Sequence, residues 1–166
     1  MSVRYDRAKQ EKVVIEIRVM EERIRNMPGL WSKIGSFLSL VMRRQFATQG
    51  AYLNGRPWKP LSPRYRHWKI EHGYGSRKIL VLSGATRQSF TSRPMTYEVH
   101  NRRRGRFGSN HDIAVYHQYG TFRNGKRVLP ARKIVNVNRK LVLAIRDLIA
   151  DYLTTKSKTT VRKYMW

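Results

Sequence analysis

The residues best suited to chemistry fall in three places, and each lacks something its chemistry requires. His67-Trp68-Lys69-Ile70-Glu71-His72 has the composition of a helical zinc motif. Such a motif sets two histidines four positions apart, so that both face the metal. Here they are five apart, and helix geometry turns them about 140° away from each other. An inverted zinc motif needs two residues between the first histidine and the glutamate, where this chain has three. His117 lies in the apolar run Ala114-Val115-Tyr116-His117-Gln118-Tyr119. A general base there would need an orienting carboxylate, and Asp112 is the only acid near it in sequence. Ser83 precedes Gly84 but lacks the G-x-S-x-G elbow of a nucleophilic serine. Ten acids supply no evident general acid and base pair, and no glycine-rich segment has a phosphate-loop pattern. The chain reads as a non-enzyme, with no cofactor and no metal site, and its histidines as structural.

Contact with phosphate is better supplied. Arg64, Arg66 and Lys69 alternate with Tyr65 and Trp68, and Arg102, Arg103, Arg104 and Arg106 precede Phe107. Cations mixed with aromatic rings suit phosphate neutralisation with some base stacking. No zinc finger, RNP motif or helix-turn-helix accompanies them, so the pattern fits loose backbone contact rather than sequence readout. Lys156, Lys158, Arg162 and Lys163 extend the same character toward the C-terminus. Altogether 35 Lys and Arg stand against 10 Asp and Glu, a net charge of +25. Ten bases and no acid lie between Glu22 and Glu71. A fold carrying that much like charge repels itself, so a polyanion or acidic proteins are expected beside it.

With 166 residues the chain fits one domain. It has no cysteine, which excludes disulfides and thiolate metal sites. No stretch approaches the roughly 18 apolar residues of a membrane span, and Asp6 and Glu11 interrupt any leader-like pattern at the start. No membrane partner is expected.

Periodicity then places the elements. Lys12 to Met20 alternates, with Val13, Ile15, Ile17 and Val19 on one side, and predicts a strand. A short polar helix follows over Glu21 to Asn26, ended by Pro28-Gly29. Leu30 to Thr48 carries apolar residues at 30, 34, 37, 38 and 41, the stripe of an amphipathic helix. Gly50 to Pro63, with two glycines and three prolines, reads as loop. Ser62-Pro63 is a helix start, and the basic helix it opens runs to about His72. Ile79 to Leu82 reads as a short strand, Ser83 as the cap of a helical turn over Thr86 to Ser89, and Phe90 to Asn101 as extended. In that last stretch Tyr97 and Val99 face one way, Glu98 and His100 the other. Arg102 to His111 reads as a turn, Ile113 to Tyr119 as a central strand, and Gly120 to Gly125 as another turn. A final helix is predicted from about Asn138 to Thr155, with Leu141, Ile145, Leu148, Ile149 and Tyr152 as its apolar stripe. The sum is an α+β fold: a small, mainly antiparallel sheet packed against the Leu30 helix and the C-terminal helix. Residues 1–155 form the domain, and 156–166 form a basic tail, flexible or ordered by a partner.

Three signatures recur in a fixed order. The first is Asn54-Gly55-Arg56-Pro57-Trp58-Lys59-Pro60-Leu61-Ser62-Pro63, the second Leu80-Val81-Leu82-Ser83-Gly84-Ala85-Thr86-Arg87-Gln88-Ser89. The third is Ala114-Val115-Tyr116-His117-Gln118-Tyr119-Gly120, followed by Pro130-Ala131-Arg132. In order and spacing they resemble the tail-completion or virion-morphogenesis family of tailed bacteriophages, over most of the chain. Pro-Ala-Arg is followed here by Lys133-Ile134, where that family often has an aromatic, and the basic excess is larger.

The resemblance implies a structural protein of the virion, made in the host cytoplasm, that completes the tail or joins it to the head at the neck as a ring of identical copies. Its neighbours would be neck, connector or tail proteins, with acidic surfaces to offset the charge, and contact with phage DNA would be non-specific. Trp58, between Pro57 and Pro60, would stiffen an exposed loop for partner contact, with plain core packing as the other role open to it, to Tyr116 and to Tyr119. The arginines at 102–106 and the tail would reach adjacent rings or DNA. The competing expectation is a basic nucleic-acid-binding protein with no virion role.

Overall fold

The computed structural model describes residues 20–25, 27–102, 104–154 and 165–166. The strand expected from Lys12 lies outside the described residues, apart from Met20, which opens a helical stretch at 20–25 (α1). The architecture turns on α2, Pro28–Ala47, which starts with proline at its first position. Its stripe of Leu30, Ile34, Phe37, Val41, Met42 and Phe46 is buried, each residue 0–4% exposed. Each such burial contributes about 2 kcal/mol. Against this stripe pack α3 (Ala51–Asn54), α5 (Ala85–Thr91) and α7 (Arg139–Thr154). Helix α7 buries Leu141, Ala144 and Leu148, at i, i+3 and i+7. Asn138 starts it, its Oδ1 accepting from the Leu141 N–H at 2.8 Å. Arg23 reaches back to the other end and donates to the carbonyls of Tyr152 and Leu153 at 2.8 and 3.1 Å. A cation there satisfies terminal acceptors and suits the negative end of the helix dipole.

The fold is α+β, as its periodicities predict, but the strands form two separate hairpins rather than one sheet. Strand β1 (Tyr97–His100) pairs antiparallel with β2 (Gly105–Gly108), and β3 (Thr121–Arg123) with β4 (Lys126–Leu129). Half of the segment expected as an arginine turn is therefore strand β2, and the turn expected at Gly120–Gly125 is the head of a hairpin. Its Asn124-Gly125 pair has φ of +48° and +70°, the geometry of a primed two-residue turn. The alternation expected over 97–100 puts the apolar side of β1 outward. Tyr97 and Val99 are exposed, whereas Glu98 turns inward, pairs with Arg93 and accepts the Met95 N–H at 3.0 Å.

Two expected strands are absent. Ile79–Leu82 turns, with Leu80 at φ +60°. The reason is Lys69, whose Nζ donates to the carbonyls of Arg77, Lys78 and Val81 at 2.7, 3.4 and 3.4 Å. These acceptors converge on an ammonium, so the segment's hydrogen bonding is local rather than strand-like. Ile113–Tyr119 is a helix, α6, with Ala114 buried and His117 and Gln118 half-buried on one side. Its apolar run hides a period of three to four. Within the expected loop 50–63, Ala51–Asn54 makes one helical turn. The basic helix begins at Pro63 as expected (α4, Pro63–Glu71), with the Ser62 hydroxyl accepting from the Tyr65 N–H at 3.3 Å. Helix α5 carries Thr86 to Ser89, but its N-cap is Gly84 rather than Ser83.

Two polar side chains are buried along α2: Ser39, whose Oγ donates to the Thr91 carbonyl at 2.8 Å, and Gln45. Gln45 is fully buried; it accepts from the Leu53 N–H at 2.8 Å and donates to the carbonyls of Lys133 and Ile134 at 3.3 and 3.2 Å. Each buried group left without its partner costs about 1–3 kcal/mol. Gln45→Ala should therefore lower the unfolding free energy by about 3 kcal/mol in a denaturant titration, and a change within experimental error would remove Gln45 from this role.

Candidate assembly cleft

The first and third signatures, far apart in sequence, meet at one irregular segment, residues 132–135, and the second lines the cleft beside it. The segment belongs to no strand and bends at Ile134, yet most of its backbone groups have partners, mainly side chains. The Arg132 N–H donates to the His117 carbonyl at 2.7 Å. The Lys133 carbonyl accepts from Asn54 Nδ2 at 2.9 Å, Trp58 Nε1 at 2.8 Å and Gln45 Nε2 at 3.3 Å. Gln118 Oε1 accepts from the N–H groups of Ile134 and Val135 at 2.8 and 3.0 Å, and its Nε2 donates to the Val135 carbonyl at 2.8 Å. Gln118 thus gathers two successive N–H groups that the bend at Ile134 turns to the same side.

Arg132 completes the join. It is 4% exposed, and its Nε and Nη2 donate to the carbonyls of Lys59 and Pro60 at 2.9 and 3.0 Å. The arginine of the third signature therefore grips the proline-rich loop of the first. Gly120 permits the approach from the other side. Its φ is +78°, and a Cβ there would lie 2.6 Å from the Leu129 carbonyl and 2.9 Å from the Ala131 nitrogen.

Between these parts lies a cleft of about 720 Å³. Pro60, Leu61, Leu80, Val81, Ile113 and Leu129 give it apolar walls, with Tyr65, Lys69, His111, His117 and Arg132 among its polar groups, and no residue lining it is acidic. Lys69 is 3% exposed; burial, and then the charge of Arg77, lower its pKa. Burial also lowers the Arg132 pKa, with Tyr65 acting in the opposite sense. The His117 imidazole is held below its ordinary value by burial first, then by the charges of Arg132 and His111. The Nδ1 atoms of His111 and His117 are buried without a hydrogen-bond partner among the described residues. A general base would need a carboxylate to orient it, and the lining offers none. The cleft is suited to receiving a side chain or a chain segment rather than to moving protons.

The sequence-predicted contact residues divide. Trp58 is not on an exposed loop: it is 5% exposed, and its ring meets Phe46 edge-on at 5.5 Å. Of the two roles open to it, it takes core packing. Lys69 spends its ammonium on the carbonyls of Arg77, Lys78 and Val81. Arg64 and Arg66 are exposed on α4, beside the exposed rings of Tyr65 and Trp68, which stack at 5.5 Å with 9° between their planes. His72 continues that stack at 4.3 Å from Trp68. Arg102, Arg104 and Arg106 are exposed on the β1–β2 hairpin, a different element. Arg103 lies outside the described residues, as do Lys156, Lys158, Arg162 and Lys163. Beyond that tail Trp166 is placed, stacked on Tyr52 at 5.1 Å, its carbonyl accepting from Arg44 at 2.9 Å. His67 and His72 go separate ways, to Glu71 and to the Trp68 carbonyl, and the described residues hold no cluster of three or more metal-ligating side chains. Sequence reasoning gave no role to Gln45, Asn54, Gln118 or Arg132. For Gln45 there was a signal, an amide four residues after Val41 on an otherwise apolar stripe.

Residues 11–154 match the phage virion morphogenesis family, and the chain belongs to it. No curated protein and no solved structure matches the chain. Membership makes it a virion-associated morphogenesis protein of bacteriophage, and among the described residues no helix is long and apolar enough to cross a membrane.

Two outcomes follow from the cleft. Arg132→Lys keeps the charge but loses the planar fork, so it should cost about 1–2 kcal/mol and quicken amide exchange over residues 56–61; unchanged exchange there would disprove the grip. The His117 pKa lies below its ordinary value in the folded chain, whereas the unfolded imidazole takes a proton as pH falls through about 6.5. Stability present above that pH is therefore lost as acid is added. His117→Gln should show a smaller fall in melting temperature than the natural chain between about pH 7 and pH 5.5.

Proposed function

We propose that this protein completes the tail, or joins it to the head at the virion neck, as a ring of identical copies working through protein contacts and without catalysis. One observation carries the reading. The first and third family signatures build a join among the proline-rich loop, α6 and segment 132–135, and Asn54, Trp58, Gln118 and Arg132 spend their polar groups there on backbone. The net positive surface then suits neighbouring neck, connector or tail proteins that present acidic faces. A preformed join lowers the ordering cost of docking against such a neighbour.

A second reading, contact with phage DNA, is favoured by the exposed stack of Tyr65, Trp68 and His72 with Arg64 and Arg66 beside it. Rings on such a platform accept any base, and the guanidinium groups accept phosphate. Quenching of tryptophan fluorescence by single-stranded DNA, lost in Trp68→Ala, would favour it.

The arginine hairpin tests the main reading. Replacing Arg102, Arg103, Arg104 and Arg106 by Ser should leave the melting temperature unchanged, because the described members of the group are exposed. In phage lacking the natural gene product, the variant should yield fewer infectious particles, with unjoined heads and tails accumulating. Normal yield would remove the hairpin from the joining contact.

A further inference from the structure

Helix α6 is built inside out. Its inner side carries Ala114, His117 and Gln118, while Ile113, Val115, Tyr116 and Tyr119 are 50%, 58%, 54% and 71% exposed. A surface helix ordinarily turns its apolar stripe to the core and its polar side to water. Here the inner side is taken up by Gln118, which must hold segment 132–135, so the apolar residues are left outside. The hairpin that follows extends the same character, with Phe122 and Val128 60% and 65% exposed. Contiguous exposed apolar surface of this kind marks a contact site.

The charge pattern says which partner covers it. Residues 107–122 contain no lysine or arginine, the longest such stretch in a chain of net charge +25, and Asp112 is its one acid. An acidic neighbour would gain most from the basic surfaces elsewhere. A second copy of this chain can approach closely only where like charge is missing.

We infer that the outer face of α6, flanked by the β3–β4 hairpin, is where two copies of the chain meet. This rests on the ring reading above and names its contact. Val115 and Tyr119, one helical turn apart, form its central ridge. A stable pair buries about 800 Å² on each partner, more than the outer face of a two-turn helix supplies, so Phe122 and Val128 belong to the contact too. Its charged rim begins at Arg127, whose guanidinium lies 4.9 Å from the Phe122 ring centre.

The test compares the molar mass in solution of three full-length chains by light scattering over a range of concentrations. The natural chain should give multiples of 19.7 kDa. The double variant Val115→Lys/Tyr119→Lys should fall to a single chain while keeping its circular dichroism and melting temperature. Arg102→Ser/Arg104→Ser/Arg106→Ser should keep the multiples. A folded double variant that still assembles would overturn this face and leave self-assembly standing. A natural chain that stays at the single-chain mass at every concentration would overturn the copy-to-copy contact, while particle yield in the complementation assay judges the virion role separately. Should the double variant not fold, Tyr119→Cys decides. The natural chain lacks cysteine, so the rate of thiol alkylation reports on that position alone. Slower alkylation at higher protein concentration supports the contact, and a constant rate overturns it.

Discussion

The structure depends on how a short irregular segment finds hydrogen-bond partners without a sheet. Residues 132–135 bend at Ile134 and belong to no strand. A buried backbone group without a partner costs about as much as a lost hydrogen bond, so such a segment survives only if its partners come from elsewhere. They come from Gln45 on α2, Asn54 on α3, Trp58 in the proline-rich loop and Gln118 on α6. Four separate pieces of chain are thereby fixed relative to one another by a handful of amide and indole groups. The apolar stripe of α2 supplies the bulk of the stability, but it cannot define register. The polar bonds to this segment do.

That arrangement explains what could be read from the sequence. The helices α2 and α7 are long enough for their stripes to be unambiguous, and Ser62-Pro63 announces α4 by a cap and a pre-set φ. The turn at Asn124-Gly125 was likewise visible, although the strands around it were not. The failures share a cause. Ile79–Leu82 and Ile113–Tyr119 are short apolar runs that periodicity alone cannot assign. Each was decided by a polar side chain: Lys69, which reaches from α4 to the Val81 carbonyl within the first run, and Gln118, whose partners at 134 and 135 lie outside the second. Trp58 was open between surface and core because its loop is rich in proline, and its indole N–H settled the matter by bonding to Lys133.

The candidate site was legible in its ingredients and not in its geometry. The three signatures could be quoted, and their order gave the family, but nothing local says that Arg132 closes on Lys59 and Pro60. Charge was legible in total and misleading in detail. Lys69 looks in sequence like a phosphate contact among arginines, yet it works as an internal counterpart to three carbonyls, while its neighbours Arg64 and Arg66 remain outside.

The inverted face of α6 has a consequence for how the protein responds to ionic strength. At physiological salt, charges further apart than about 8 Å scarcely interact, and in dilute buffer the reach is several times longer. Copies of a +25 chain are therefore held apart in dilute buffer even when their uncharged faces are complementary, and added salt lets them close. Any grip on a nucleic acid runs the other way, because it releases counterions and weakens as salt rises. The same surplus of cations thus opposes the proposed contact between copies and favours the proposed contact with nucleic acid in dilute buffer, and the ionic environment would select between them.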